Sequence, residues 1–232
     1  MSLATWGRVD GMRPSVIVFD VNETLSDLSP LGARFVEVGA SASAAPLWFA
    51  QVLRDGFALT AAGANPSFAE VARELLRSQL SEVQLHRSVE DAAGHVMDGF
   101  ARLELHPDVA PGIDRLHEDG FRLVTLSNGS AAIADRLLTS ADIRDRFERL
   151  LSVEDAGAWK PSPRPYEYAA EVCDAKPVDM LMVAVHPWDV DGARRAGLQT
   201  AWVNRTGARF PAMFEAPTYT VTGVEELAEL WA

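Results

Sequence analysis

Positive charge is scarce in this chain. Against 33 aspartates and glutamates stand 21 lysines and arginines, a formal net charge of −12. That balance excludes a nucleic-acid binder, which needs a basic surface to meet phosphates. It leaves room for a small anionic substrate, because one placed lysine reverses the field inside a pocket. Cysteine is scarcer still. Cys173 is the single one, so a disulfide framework within the chain is excluded and a reducing, cytoplasmic interior is expected. No motif surrounds Cys173, which reads as a core thiol. No apolar run approaches the roughly 20 residues of a membrane-spanning helix. Residues 1–10 lack a signal-peptide pattern. Asn65-Pro66-Ser67 has proline in the middle position, which excludes a glycosylation acceptor. Repeats and low-complexity tracts are also missing. These absences point to a cytoplasmic protein whose partner is a small anion, with neither nucleic acid nor membrane. Nothing sets the oligomeric state, and a homodimer stays open.

The residues present are ordinary for a globular chain. Hydrophobic residues make up 48% of 232 positions, enough for a sizeable core. Ser15-Val-Ile-Val-Phe-Asp20 reads as a buried strand ending on a carboxylate. From about 30 to 105 the pattern is helical. Apolar residues recur at helical spacing over 47–54, over 68–80 behind a Ser67 N-cap, and over 89–100. After His106-Pro107 strands and helices alternate. Strands are expected at 121–126, 150–153, 180–185, 200–203 and 219–222, with helices at about 111–119, 131–138, 165–173 and 189–196. Alternation of this kind predicts an α/β fold, a Rossmann-like parallel sheet covered by helices on both faces. The expected division is a core of residues 1–29 and 106–232, with 30–105 inserted as a helical cap.

In such sheets ligands bind beyond the carboxyl ends of the strands. Four loops fall there, and they carry Asp20, Ser127-Asn128, Lys160 and Asp189. A charge at the tip of a core strand is costly unless paired or used. Thr24 lies four residues after Asp20, within reach of its carboxylate. Each signal alone is ordinary: a capping aspartate, a Ser-Asn-Gly turn, a solvated lysine. Their order and their common place at strand ends give them weight together.

With these four loops the sequence resembles the haloacid dehalogenase superfamily, and within it the type II haloacid dehalogenases, over about 15–230. The resemblance implies Asp20 as nucleophile, Thr24 as the hydroxyl that orients it, and Lys160 as its balancing cation. It implies Asn128 and Asp189 as further catalytic residues and Tyr166 as a site tyrosine. The substrate carboxylate would lie among the strand-tip N–H groups of Val21 and Asn22 and the Ser127 and Asn128 side chains. Where the family usually has Asn in the fourth motif, this chain has His186. The family's halide-gripping cap arginine falls on Phe57, with Arg54 one turn earlier as a substitute and His186 or Asn22 as alternatives. Cap packing around Trp48, Phe57 and Leu59 would set substrate shape.

The reaction implied is hydrolysis of a small 2-haloacid to the 2-hydroxy acid through an ester on Asp20, with no cofactor and no metal. Water oriented by Asp189 and His186 would resolve the ester. The alternative is a magnesium-dependent phosphatase, the commoner activity in the superfamily, with Asp20, Asp189 and Asp191 on the metal. Such phosphatases carry a second aspartate two residues after the nucleophile to protonate the leaving alkoxide. This chain has Asn22 there, and an amide cannot do that work. Halide leaves as a stable anion, so Asn22 favours carbon–halogen chemistry. A non-catalytic binding relative is the third reading.

Overall fold

Residues 12–231 are described by a computed structural model of the chain. Residues 1–11, which open the expected core segment 1–29, lie outside the described residues, as does Ala232. Strand β1 (Val16–Phe19) is four apolar residues with no exposure. Its side chains alternate between two faces. Ile17 and Phe19 enter one core cluster, and Val16 and Val18 another. A strand buried on both faces needs helices above and below, and the rest of the chain supplies them.

Five more strands complete one sheet: β2 (Arg122–Ser127), β3 (Phe147–Ser152), β4 (Met180–Ala184), β5 (Gln199–Val203) and β6 (Tyr219–Val221). The order is β3-β2-β1-β4-β5-β6, and all neighbours run parallel. Helices α5 (Val109–Glu118), α6 (Ala131–Ser140) and α10 (Val224–Glu229) cover the Ile17 face. Helices α8 (Pro163–Cys173) and α9 (Pro187–Arg195) cover the Val16 face. Short α7 (Val153–Ala156) follows β3 and ends on Gly157, whose φ of 81° suits a residue without a Cβ. The chain leaves β1 toward β2 on one side and reaches β4 on the other. The crevice at that reversal lies at the tip of β1, where Asp20 stands.

Between β1 and α5 four helices form their own layer: α1 (Leu31–Val36), α2 (Ala44–Ala61), α3 (Phe68–Leu80) and α4 (Val89–Phe100). Ser67 caps α3 through a reciprocal pair with Glu70, and Ser88 caps α4. Their apolar faces meet in one cluster around Phe35, Trp48, Leu76 and Phe100, joined from the core by Val153 and Trp159. Helix α2 is much longer than the expected 47–54. It continues through Gly56, because Trp159 of the core lies against that glycine and extends the buried stripe. Two strands of chain join the layers side by side, where Asp27 N–H donates to Glu104 O at 2.8 Å.

Candidate active site

Asp20 is 3% exposed, so its charge must be met inside the protein. Three side chains meet it. Lys160 Nζ donates to Oδ1 at 2.9 Å. Thr24 Oγ1 donates to Oδ2 at 2.6 Å, and His186 Nδ1 lies 3.2 Å from the same oxygen. Burial pushes the Asp20 carboxyl up, but Lys160, His186 and Thr24 together hold it well below the usual carboxylate range. It is an anion at any ordinary pH. Thr24 is itself held, since its hydroxyl accepts from Val185 N–H at 3.1 Å.

Lys160 has no solvent contact. Its ammonium bridges Asp20 and Asp189, the latter at 2.6 Å. Burial favours the neutral amine, and the Asp189 and Asp20 carboxylates outweigh it, so the lysine titrates above its ordinary value. Both oxygens of Asp189 are taken: Oδ2 by Lys160, Oδ1 by the Tyr166 hydroxyl at 2.6 Å. Asp189 is pushed up by burial and by Asp20, against the pull of Lys160. Burial and the Asp189 charge together push the Tyr166 phenol well up. Tyr166 therefore supports Asp189 and makes no hydrogen bond to Asp20. Asn128 is also a support. Its amide spans the Lys160 backbone, accepting from N–H at 3.0 Å and donating to C=O at 3.3 Å.

Ser127 is buried at the tip of β2, and its Oγ accepts from Gly129 N–H. Asn22 is buried on the same side, its amide nitrogen close to Gly129. The Val21 side chain belongs to the sheet core, so only its backbone faces the crevice. Phe57 packs edge-on against Trp188, ring centres 4.9 Å apart, at the cap–core seam. Arg54 is not in the site. Its guanidinium binds the neighbouring Asp55, and its side chain is 64% exposed. The α2 stripe of Ala45, Trp48, Phe49, Val52, Leu53 and Gly56 faces inward and leaves Arg54 outside. Trp48 lies in the cap core, bonded to Ala72 O, and Leu59 is on the surface. Phe49 is the cap side chain near the site, with its ring centre 6.4 Å from that of His186.

Two residues that sequence reasoning missed complete the arrangement. Glu23 Oε2 lies 2.9 Å from His186 Nε2, and Glu23 takes a left-handed φ of 62°. Trp188 stacks on the His186 ring at 4.8 Å. Burial alone would favour the neutral imidazole. The Asp20 and Glu23 carboxylates reverse this and raise the ring to about 9. His186 is a cation between two anions. Beside it a groove of 820 Å³ opens between cap and core, with Ala45, Pro46 and Phe49 on the cap wall. Glu23 and His186 line it, and Asp20 lies behind His186.

The donor set does not fit a magnesium ion. Oxygen ligands would have to come from Asp20, Asp189 and Asp191. Both oxygens of the first two are bonded to Lys160, His186, Thr24 and Tyr166. Asp191 is turned away, with Arg195 on one oxygen and Glu215 N–H on the other.

The chain is similar to known proteins along most of its length. The haloacid dehalogenase-like hydrolase family matches residues 14–197. Haloacetate dehalogenase H-2 of Moraxella sp. (strain B) is 29% identical over 218 residues, 93% of this chain and 97% of that protein. The (S)-2-haloacid dehalogenase of Pseudomonas sp. (strain YL) is 30% identical over 217 residues, 93% of each chain. A solved dehalogenase with an intermediate complex superposes with a TM-score of 0.87 at 27% identity, covering 94% of this chain and 96% of that one.

Proposed function

This chain belongs to the haloacid dehalogenase-like hydrolases, and from that premise we propose that it hydrolyses the carbon–halogen bond of a small 2-haloacid through an ester on Asp20. The observation that carries this is the Asp20 carboxylate itself: buried, ionised, held by Lys160 on one oxygen and Thr24 on the other. No carboxylic acid stands two residues on to protonate an alkoxide; Asn22 does. The relatives named above act on haloacids, and this chain inherits that substrate class as the reading of its site.

Oδ1 accepts only from Lys160 and carries the freer lone pair, so it attacks C2 as halide leaves opposite. The N–H groups of the Val21–Asn22 turn and the Ser127 hydroxyl hold the substrate carboxylate. Lys160 keeps the nucleophile charged until the bond forms. Asp189, Tyr166 and Asn128 keep Lys160 in place. Water then resolves the ester at Cγ and frees the 2-hydroxy acid. The cap excludes bulk water while the ester exists. The segment 30–105 supplies this cover, and the unpaired Cys173 suits the cytoplasm. Among the described residues no helix is long and apolar enough to cross a membrane.

The test is halide release from a panel of chloro-, bromo- and fluoroacids in the presence of EDTA, followed by one turnover in ¹⁸O water. Heavy oxygen belongs in Asp20 after the first turnover and in the product only later. Heavy oxygen in the first product would exclude the ester. Phosphate release from p-nitrophenyl phosphate with Mg²⁺, and no halide from any acid, would replace the reading with a phosphatase.

A further inference from the structure

Thr24 is a demanding residue to place. Its Oγ1 donates to Asp20 Oδ2 and accepts from Val185 N–H at the same time. A β-branched side chain is stiff at χ1, so the backbone beneath it sets the direction of that hydroxyl. This backbone belongs to neither a helix nor a strand of the sheet, so its polar groups need partners from elsewhere. We propose that Arg205, gripped by Asp108, is a positioning residue for the nucleophile: by fixing the Thr24 carbonyl it aims the Thr24 hydroxyl, and the hydroxyl sets the plane of the Asp20 carboxylate. Its effect on rate rests on the ester reading above.

The loop closes partly on itself. Leu25 N–H and Ser26 N–H both donate to Val21 O, at 2.9 and 3.0 Å. Three successive carbonyls, those of Glu23, Thr24 and Leu25, are then taken by residues from far along the chain. His106 holds the outer two: its backbone N–H donates to Leu25 O at 2.9 Å, and its Nε2 lies 3.0 Å from Glu23 O. Burial and the Arg205 charge push the His106 ring down, so it is uncharged at neutral pH and donates through Nε2. Arg205 holds the middle one, with Nη2 donating to Thr24 O at 2.9 Å. The same guanidinium forks onto Asp108, Nε to Oδ1 at 3.0 Å and Nη2 to Oδ2 at 2.9 Å. Such a planar fork fixes orientation as well as distance. Asp108 is anchored in turn by Val224 N–H at 2.8 Å, and a Cβ on Gly223 would lie 2.9 Å from its Oδ2. The restraint has a purpose, since Glu23 carries a left-handed φ of 62°. A residue other than glycine keeps that conformation only where its surroundings over-determine it.

Arg205 does not touch Asp20. Its charge is matched by Asp108, and what it delivers to the site is direction. Once the Thr24 carbonyl is released, the peptide rotates, Oγ1 loses either Asp20 or Val185, and the carboxylate turns about its Cβ–Cγ bond. A displacement of about 1 Å at a reacting atom costs on the order of a hundredfold in rate. The N–H groups assigned to the substrate carboxylate lie earlier in the loop, at Val21 and Asn22, next to an Asp20 N–H that is bonded to Val183 O at 3.0 Å. The loss therefore falls on kcat and leaves KM nearly alone. A lysine at position 205 would keep a positive charge opposite Asp108. As a point donor it could not form the fork and reach Thr24 O together.

Arg205→Lys tests this in two ways. In halide release from 2-chloropropionate its kcat should fall about tenfold to a hundredfold, with KM changed less than about twofold. The same substitution in a Thr24→Val background should cost less than about twofold in kcat, because no hydroxyl is left to aim. A merely structural arginine would cost the same in both backgrounds. Amide hydrogen exchange reads the loop without substrate. Val185 N–H should exchange as fast in Arg205→Lys as in Thr24→Val, while Asp20 N–H keeps its wild-type protection. Should Arg205→Lys fail to fold, Asp108→Asn, which keeps the shape and weakens the fork, carries the same two measurements. Equal losses of kcat with and without the Thr24 hydroxyl would overturn the proposal. So would wild-type protection of Val185 in the folded variant. If the wild type releases no halide from any acid, the dehalogenase reading falls, and Val185 exchange still decides whether Arg205 places Thr24.

Discussion

Among the described residues Lys160 is the sole counter-charge that Asp189 has, and one of two for Asp20. Lys160→Met therefore leaves two buried carboxylates side by side. Removing one partner of a buried pair costs about 3 to 5 kcal/mol, so a lower unfolding midpoint is expected. Turnover should fall about a hundred- to a thousandfold, as it does when one charge-stabilising donor is removed from an active site. The acid limb of the pH–rate profile should move to higher pH, because Asp20 loses the cation that lowers it. An unchanged profile would take Lys160 out of the site. His186 acts at the other end of the scale. Its ring is raised from 6.5 to about 9 on folding. A raised base stabilises the fold fully below about 6.5, and that stabilisation is lost as pH rises through about 9. Discounted for the half-exposed Glu23, the contribution is about 2 kcal/mol. Urea midpoints measured from about pH 6 to 10 should decline for the wild type and stay flatter for His186→Asn. Parallel curves would remove the ion pair. The nucleophile and its lysine are legible in the sequence because each sits in a loop bounded by a recognisable strand. Glu23 is not, because its role depends on a left-handed backbone that only the packed loop imposes.

Helix α2 and the loop before α8 are locked to each other through one glycine. A Cβ on Gly56 would lie 2.3 Å from two ring carbons of Trp159. Trp159 cannot give way easily. It is fully buried, its Nε1 donates to Pro66 O at 2.9 Å, and its ring stacks on Phe68. The next residue is Lys160. Gly56→Ala should therefore push the lysine loop away from Asp20 as well as loosen the cap. Helix propensity alone would gain about 1 kcal/mol, and overpacking of about 1 to 3 kcal/mol opposes it. A net loss of thermal stability and a fall in kcat are expected. Gly94→Ala in α4 is the control, since nothing lies within 4 Å of its Cβ; it should keep activity and gain stability. A stable, fully active Gly56→Ala would refute the lock. The same helix explains the misplaced Arg54. Its inward stripe runs Ala45, Trp48, Phe49, Val52, Leu53 and Gly56, a pattern readable from spacing alone. Taking the helix only to Arg54 hides that stripe, and the reason to extend it is Trp159, far along the chain. Strand β1 needs no such partner to be read, since four apolar residues in a row have one buried solution in an alternating α/β chain.

Across the whole molecule the sheet gathers Asp20, Asn128, Lys160 and Asp189 from loops at the same strand ends, which alternation and parallel topology predict without any contact being known. Charge at this scale follows from composition too. The chain carries −12, and the site does not reverse it. Lys160 and His186 stand against Asp20, Asp189 and Glu23, and Arg205 on the groove wall is paired with Asp108. An anionic haloacid thus approaches through a repulsive field. The field reaches about 30 Å at 0.01 M salt and about 8 Å at 0.15 M. Raising salt across that range should increase kcat/KM for 2-chloropropionate severalfold and leave kcat unchanged. The neutral 2-chloropropionamide should show no such rise in binding. Arg209, exposed at the groove mouth, is the local cation able to oppose the field. Arg209→Glu should steepen the salt dependence. A kcat/KM that falls with salt in the wild type would mean the opposite: the groove cations, and not the net charge, govern how the substrate reaches Asp20.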